Sequence, residues 1–329
     1  MSHSNHHASQ IHHSESAITM RSDMIIALVP LYFMAYFYYG SRVLVVGAAA
    51  VSTCLICDWI CGLLLHHRIE FRDLSAAITG LIISMLMPPT VDLYIVVSAS
   101  MFAILVAKAP FGGTGRNVFN PAAAGLAFAI ICWSQQMFQY SKPLAHLPMQ
   151  ITEAIPLMQG PTATLKLGGI PRIGMTEMLL GHFPGPIGST YTLIIFSCLV
   201  YLLTRKTIPW YLPVSYILPI ALVASFKHPY LVSSLESITN ELFVGSLFFV
   251  AVYMISDPVT APKHPLAKAL YGFAAGGLTM MFRYLSPLEL SAVFVVLLMN
   301  AFSPAFDRFC EWIMPKLQKT AAAKGGSPS

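Results

Sequence analysis

Ten apolar runs, separated by short polar or proline-bearing turns, limit what this chain can become. They fall at about 24–40, 43–65, 75–88, 91–109, 121–138, 189–204, 207–226, 241–256, 267–283 and 287–305. A helix needs about 20 apolar residues to cross a bilayer. Only 10% of the residues are charged and the mean hydropathy is +0.67, whereas a soluble domain carries about 25% charge. The sequence therefore predicts an all-α polytopic membrane protein with about ten transmembrane helices. The net charge of +5 says little by itself, since what matters in such a chain is where Lys and Arg fall; no nucleic-acid partner is expected.

The runs divide into two sets of five. Asn120-Pro121-Ala122-Ala123-Ala124-Gly125-Leu126-Ala127-Phe128 aligns with Ser286-Pro287-Leu288-Glu289-Leu290-Ser291-Ala292-Val293-Phe294. The same offset carries the first three runs onto the sixth, seventh and eighth. The third and eighth runs are short and end in proline turns, Met87-Pro88-Pro89-Thr90 and Ser256-Asp257-Pro258-Val259-Thr260-Ala261-Pro262. Five is odd, so the repeats must point in opposite directions. Two inverted five-helix repeats with broken helices are expected, and in such plans the interrupted spans mark a midplane site.

The positive-inside rule orients them. With a cytosolic N-terminus, inside segments hold 13 of the 19 Lys and Arg residues. They are Arg21, Arg68, Arg72, Lys108, Arg116, Arg205, Lys206, Lys263, Lys268, Arg308, Lys316, Lys319 and Lys324. Arg42, Lys142, Lys166, Arg172, Lys227 and Arg283 fall outside. Both termini are then cytosolic. The expected divisions are a disordered, His-rich cytosolic tail at 1–23, a first repeat at 24–138 and an outer loop at 139–188. A second repeat at 189–305 and a cytosolic tail at 306–329 follow.

Two polar segments stand out. Gly112-Gly113-Thr114-Gly115-Arg116-Asn117-Val118-Phe119-Asn120-Pro121 is a glycine-rich turn leading into an apolar helix. Asn120 is a good N-cap and Pro121 suits the first helical position. Irregular backbone near membrane depth survives only against protein or a water-filled cavity, and a helix start presents unpaired amides. The turn is thus a candidate site for a polar or anionic ligand, or a tight connector. The outer loop is longer than a connector needs, a mark of functional or disordered segments. It carries Gln159-Gly160-Pro161-Thr162-Ala163-Thr164-Leu165-Lys166 and Gly181-His182-Phe183-Pro184-Gly185-Pro186-Ile187-Gly188.

These residues resemble a known family. The 112–122 stretch is similar to the GG-x-G-x-N-x-FNPA signature of the D subunit of Rnf-type electron transport complexes. The homologous B subunit of sodium-translocating NADH:quinone oxidoreductase shares that signature. Ser256–Pro262 resembles the family's TDPVTAP turn, 181–188 its G-x-x-PG-x-x-G stretch, and Val296-Leu297-Leu298-Met299-Asn300 its last span. The resemblance covers nearly the whole chain, in order. It implies a membrane subunit of a ferredoxin:NAD-type oxidoreductase in a bacterial or archaeal cytoplasmic (inner) membrane. Its partners would be subunits A, B, C, E and G, and the complex would move sodium ions or protons.

The resemblance also implies FMN joined through its phosphate to a threonine, here Thr164. Thr162 is a second possible acceptor, because Pro161 and Thr162 depart from the family's S/T-G-A-T pattern. Lys166 is placed to neutralise the phosphate, or is an ordinary solvated lysine. A non-covalent riboflavin between the spans is a further family property, with Asn117, Asn120 and Asp257 as candidate lining residues. Asp257 could equally cap the ninth span. Asp58, inside the second run, either serves ion passage or pairs with a basic neighbour. Cys54, Cys57 and Cys61 share a helix face, but a cluster normally needs four thiolates, so they read as packing residues. No catalytic set or metal site is expected within this chain. The alternative from another class is a solute channel or transporter with the same inverted plan and no redox role.

Overall fold

The computed structural model describes residues 2–66, 73–113, 115–151, 154–166, 169, 171–226, 233–285 and 290–325. Arg68, Arg72, Thr114, Lys227 and the 286–289 part of the repeat alignment lie outside the described residues. So do the side chains of the amino-terminal histidines and of Lys166, Lys316, Lys319 and Lys324.

The architecture is helical, and no strand occurs among the described residues. The first half holds α1 (Ser2–Tyr39), α2 (Arg42–His66), α3 (Ser75–Met85), α4 (Leu93–Leu105) and α5 (Pro121–Cys132). Three short helices follow: α6 (Ser134–Met137), α7 (Pro161–Lys166) and α8 (Met175–Leu180). The second half holds α9 (Thr192–Thr204), α10 (Tyr211–Phe226), α11 (Ser234–Phe243), α12 (Leu247–Val250), α13 (Pro265–Leu285) and α14 (Ser291–Gly325). Among the described residues four stretches are long and apolar enough to cross a membrane: Ala17–Tyr39, Arg42–Leu64, Leu93–Phe111 and Ser291–Met314. The pair Ser234–Phe243 and Leu247–Ile255, bent by 65°, is either a broken fifth span or a re-entrant loop. Helices α3, α5, α9 and α10 are apolar but shorter. Helix α1 takes in the polar stretch that composition assigns to a tail, which contains no glycine or proline to stop it. Helix α14 likewise continues past residue 305.

Packing follows one pattern in both halves. Helix α2 packs on α3 and α4, and α4 on α5. Helix α10 packs on α11 and α13, and α13 on α14. The halves meet where α1 lies on α9 and α5 on α14. Buried Asp23 on α1 accepts from Tyr201 Oη at 3.1 Å, Arg205 Nε at 3.1 Å and Thr207 Oγ1 at 3.0 Å. A charge buried this way is tolerable because each oxygen has a donor. Exposed apolar side chains such as Phe33, Leu64, Ile131 and Phe226 point outward from the bundle, as expected of surfaces whose solvent is lipid.

The break in the second half falls between α11 and α12, where Val244 is extended and Gly245 has φ of 110°. After α12 the backbone widens into a π-helical turn, Ala251–Ile255, and Ser256 Oγ donates to Ala251 O at 2.8 Å. Such turns cluster at functional sites.

Candidate functional site

The glycine-rich turn folds as its residues require. Gly112, Gly113 and Gly115 have φ of 96°, 82° and 78°, a region where glycine escapes the Cβ clash. Asn120 caps α5 through Oδ1, which accepts from Ala123 N at 3.1 Å, and Pro121 opens the helix. The second turn lies against it. Asn120 Nδ2 donates to Asp257 Oδ2 at 3.4 Å, and Asn120 N donates to Asn300 Oδ1 at 2.9 Å. Asn300 Nδ2 donates to Tyr271 Oη at 2.9 Å. Asp257 does not cap α13. It braces its own turn, accepting from Val259 N at 3.1 Å and Thr260 Oγ1 at 3.0 Å. The start of α13 is held instead by Asp307, whose carboxylate accepts from Lys263 N and His264 N at 3.0 Å. Burial pushes the Asp257 carboxyl above its ordinary range, partly offset by the Val259 and Thr260 donors.

In front of these turns is a cavity of about 320 Å3. Asn117, Asn120 and Asp257 all line it, with Arg21, Lys108 and Tyr253. The volume is at the low end of the range for small-molecule sites, about 300–1,000 Å3. Asn117 Oδ1 is buried and has no partner among the described residues, so a ligand donor would satisfy it. The two cations are already matched. Arg21 lies 2.9 Å from Asp73. Lys108, almost fully buried, lies 2.8 Å from Asp58 and 3.5 Å from Asp73, and donates to Ser75 Oγ at 2.7 Å. Asp58 thus pairs with a basic neighbour. The cavity is largely apolar, with a few polar groups and no surplus positive charge, which suits an uncharged ligand with N–H and O–H donors.

Thr164 and Lys166 lie elsewhere, on α7 in the loop after the first half. Thr164 is exposed and Thr162 is buried. Thr162 faces Gly245, where φ is 110° and an added Cβ would sit 3.1 Å from Thr162 Oγ1. The space beside Thr162 is about 10 Å3, enough for one water and no more. Of the two threonines, Thr164 is the one open to solvent. Helix α7 adjoins the far end of α13: Arg283 Nη2 is close to Gly245 and donates to Val244 O at 3.1 Å. Asp257 and Pro265 sit at the other end of α13, about 27 Å away at 1.5 Å per residue.

Sequence reasoning did not single out Asn300 or Lys108 as site residues. The signal was there, since a polar side chain inside an apolar run is costly unless partnered.

A helical membrane protein with a largely apolar cavity, bearing a few polar groups, between two broken turns and an exposed threonine loop at the opposite end is the class defined so far. The chain belongs to the NQR2, RnfD, RnfE family, whose profile matches residues 4–314. It is similar to the D subunit of the proton-translocating ferredoxin:NAD(+) oxidoreductase complex of Clostridium ljungdahlii, 29% identical over 302 residues, covering 90% of this chain and 91% of the relative. It is similar to the D subunit of the Na(+)-translocating ferredoxin:NAD(+) oxidoreductase complex of Acetobacterium woodii, 28% identical over 316 residues and 94% of each chain. The D subunit of the ion-translocating oxidoreductase complex of Haemophilus ducreyi is 26% identical over 340 residues, covering 90% of this chain and 93% of the relative.

Proposed function

We propose that this chain is the D subunit of an Rnf-type ferredoxin:NAD oxidoreductase, relaying electrons through FMN esterified to Thr164 and coupling them to translocation of sodium ions or protons. The observation that carries this is the contrast between exposed Thr164 and buried Thr162, in a chain matched to the family over residues 4–314. A flavin supplies the ability to take two electrons and release them singly. The chain's part is to present a reachable hydroxyl on α7 and to anchor that helix through Thr162.

A second flavin, riboflavin, fits the cavity between the turns. Asn117 Oδ1 and the Asp257 carboxylate offer acceptors. Asp58 and Asp73 neutralise Lys108 and Arg21, which favours an uncharged riboflavin over a phosphorylated one. Partner subunits A, B, C, E and G would hold the NADH- and ferredoxin-handling sites.

The topology we propose is ten spans in two inverted halves, with both termini cytosolic and residues 139–188 outside. The repeated packing pattern supports it. So does a matched pair of buried ion pairs near opposite ends: Lys108 with Asp73 next to α3, and Arg283 with Glu241 on α11.

The test is a denaturing gel of the full chain, co-expressed with a flavin transferase and viewed under ultraviolet light. The parent band should fluoresce and Thr164→Ala should be dark, while Thr162→Ala should still fluoresce. A dark parent band would favour a channel or transporter without redox role, or a flavin held elsewhere in the complex.

A further inference from the structure

We propose that the groove between the end of α9 and the starts of α10 and α13 holds the headgroup of an anionic phospholipid. The groove has a volume of about 590 Å3 and is lined by Lys206, Lys268, Trp210 and Tyr211, with Leu203 and Leu212 as apolar walls. It is distinct from the cavity at the broken turns, although Met20, Thr207 and Pro258 border both.

The charge is one-sided. Lys206 and Lys268 both line the groove, and no carboxylate does among the described residues. Neither lysine forms an ion pair among the described residues, whereas neighbouring Arg205 is held by Asp23 at 3.1 Å. Lys206 has φ of 58°, a conformation unfavourable for a residue with a Cβ. It tightens the α9–α10 connection, where Thr207 N donates to Leu202 O at 3.0 Å.

The occupant is a lipid rather than a free anion because the groove continues into an apolar track. Trp210, directly before α10, and Val214, Leu218 and Leu222 along it are all exposed and spaced four apart. Residues at that spacing share one helix face. The track runs from the lysines for about 18 Å at 1.5 Å per residue, long enough to guide an acyl chain. Trp210 marks its start, and tryptophan favours the membrane–water interface. Basic pockets between spans on the cytosolic side bind anionic headgroups. The siting at the cytosolic surface rests on the proposed topology.

The test uses the full chain in a neutral detergent, titrated with phosphatidylglycerol, phosphatidylcholine or inorganic phosphate and read by native mass spectrometry. The parent should retain phosphatidylglycerol in preference to phosphatidylcholine. The double variant Lys206→Gln/Lys268→Gln should bind phosphatidylglycerol about thirtyfold more weakly, from the worth of a lysine near an anionic surface. Lys142→Gln, in the loop after the first half, should match the parent. Equal affinity in parent and double variant, or equal retention of the two lipids, would overturn the proposal. Full displacement of phosphatidylglycerol by millimolar phosphate would overturn it in favour of a free-anion site. Labelling of Lys206→Cys from each side of the membrane separates the two readings. Labelling from outside would reject the topology, while the titration would still decide the lipid site.

Discussion

The side-chain carbonyl of Asn300 accepts the backbone N–H of Asn120 at 2.9 Å, across 180 positions of sequence. One bond joins the glycine-rich turn of the first half to the last helix of the second. Asn300 is 1% exposed, and its amide donates to Tyr271 Oη. Asn300→Ala would leave the Asn120 N–H buried without its acceptor. The expected loss is about 1–3 kcal/mol of stability, read by thermal or denaturant unfolding in detergent. Proteolysis in the 112–120 turn should rise in parallel. Unchanged protease resistance there would mean that the bond does not hold the turn.

Arg283 and Glu241 form the second set of buried charges, with Nε and Oε2 3.0 Å apart and both side chains almost inaccessible. That approach allows ion pairing, although the two atoms lack the alignment of a hydrogen bond. Arg283 also donates to Glu241 O and Val244 O at 3.1 Å. Removing one member of a buried pair typically costs about 3–5 kcal/mol. Arg283→Met and Glu241→Leu should each destabilise on that scale. The double variant should lose less than the two combined, with a coupling of about 1–3 kcal/mol. Strict additivity would show that the pair acts as two separate groups.

Much of this was legible in the residues. Helices occupy all ten apolar runs, because hydropathy over about 20 residues is a strong signal. The capping role of Asn120 and the left-handed glycines followed from local chemistry. The same turn residues Asn117, Asn120 and Asp257 come together at one cavity. The partners that make that cavity were not legible. Lys108 with Asp58, and Asn120 with Asn300, are contacts between distant segments, and a sequence shows a buried polar residue without showing what it meets. Asp257 read as a possible cap for the ninth span at the membrane edge. The segment leading into that span is held instead by Asp307, 44 positions beyond Lys263, a distance that no local rule reaches.

Asp257 gives a pH test. Burial raises its carboxyl pKa above the ordinary 3.8, so the folded chain binds that proton more tightly than the unfolded chain. Its contribution to stability is therefore full below pH 3.8 and is lost as pH rises through the raised value. Asp257→Asn cannot ionise and should not show that loss. Subtracting the variant's stability from the parent's, point by point across pH, should give a curve that falls with rising pH. A flat or rising difference curve would contradict the burial of this carboxyl.

Asn117 tests the cavity as a flavin site. Asn117→Leu removes the unpartnered Oδ1 and places apolar bulk at the cavity wall. Riboflavin affinity should fall about tenfold, the worth of one net hydrogen bond. Covalent fluorescence at Thr164 should be unaffected. Unaltered riboflavin affinity would place that ligand elsewhere.

The opposed placement of the two sites is tested most directly by which side of the membrane each can be reached from. Thr164→Cys and Val259→Cys, both at exposed positions, would be made in the full chain with the native cysteines replaced. Each would be treated with an impermeant maleimide in right-side-out and in inverted membrane vesicles. Residue 164 should label only in right-side-out vesicles, and residue 259 only in inverted ones. Labelling of both from the same side would contradict the inverted arrangement and the relay built on it.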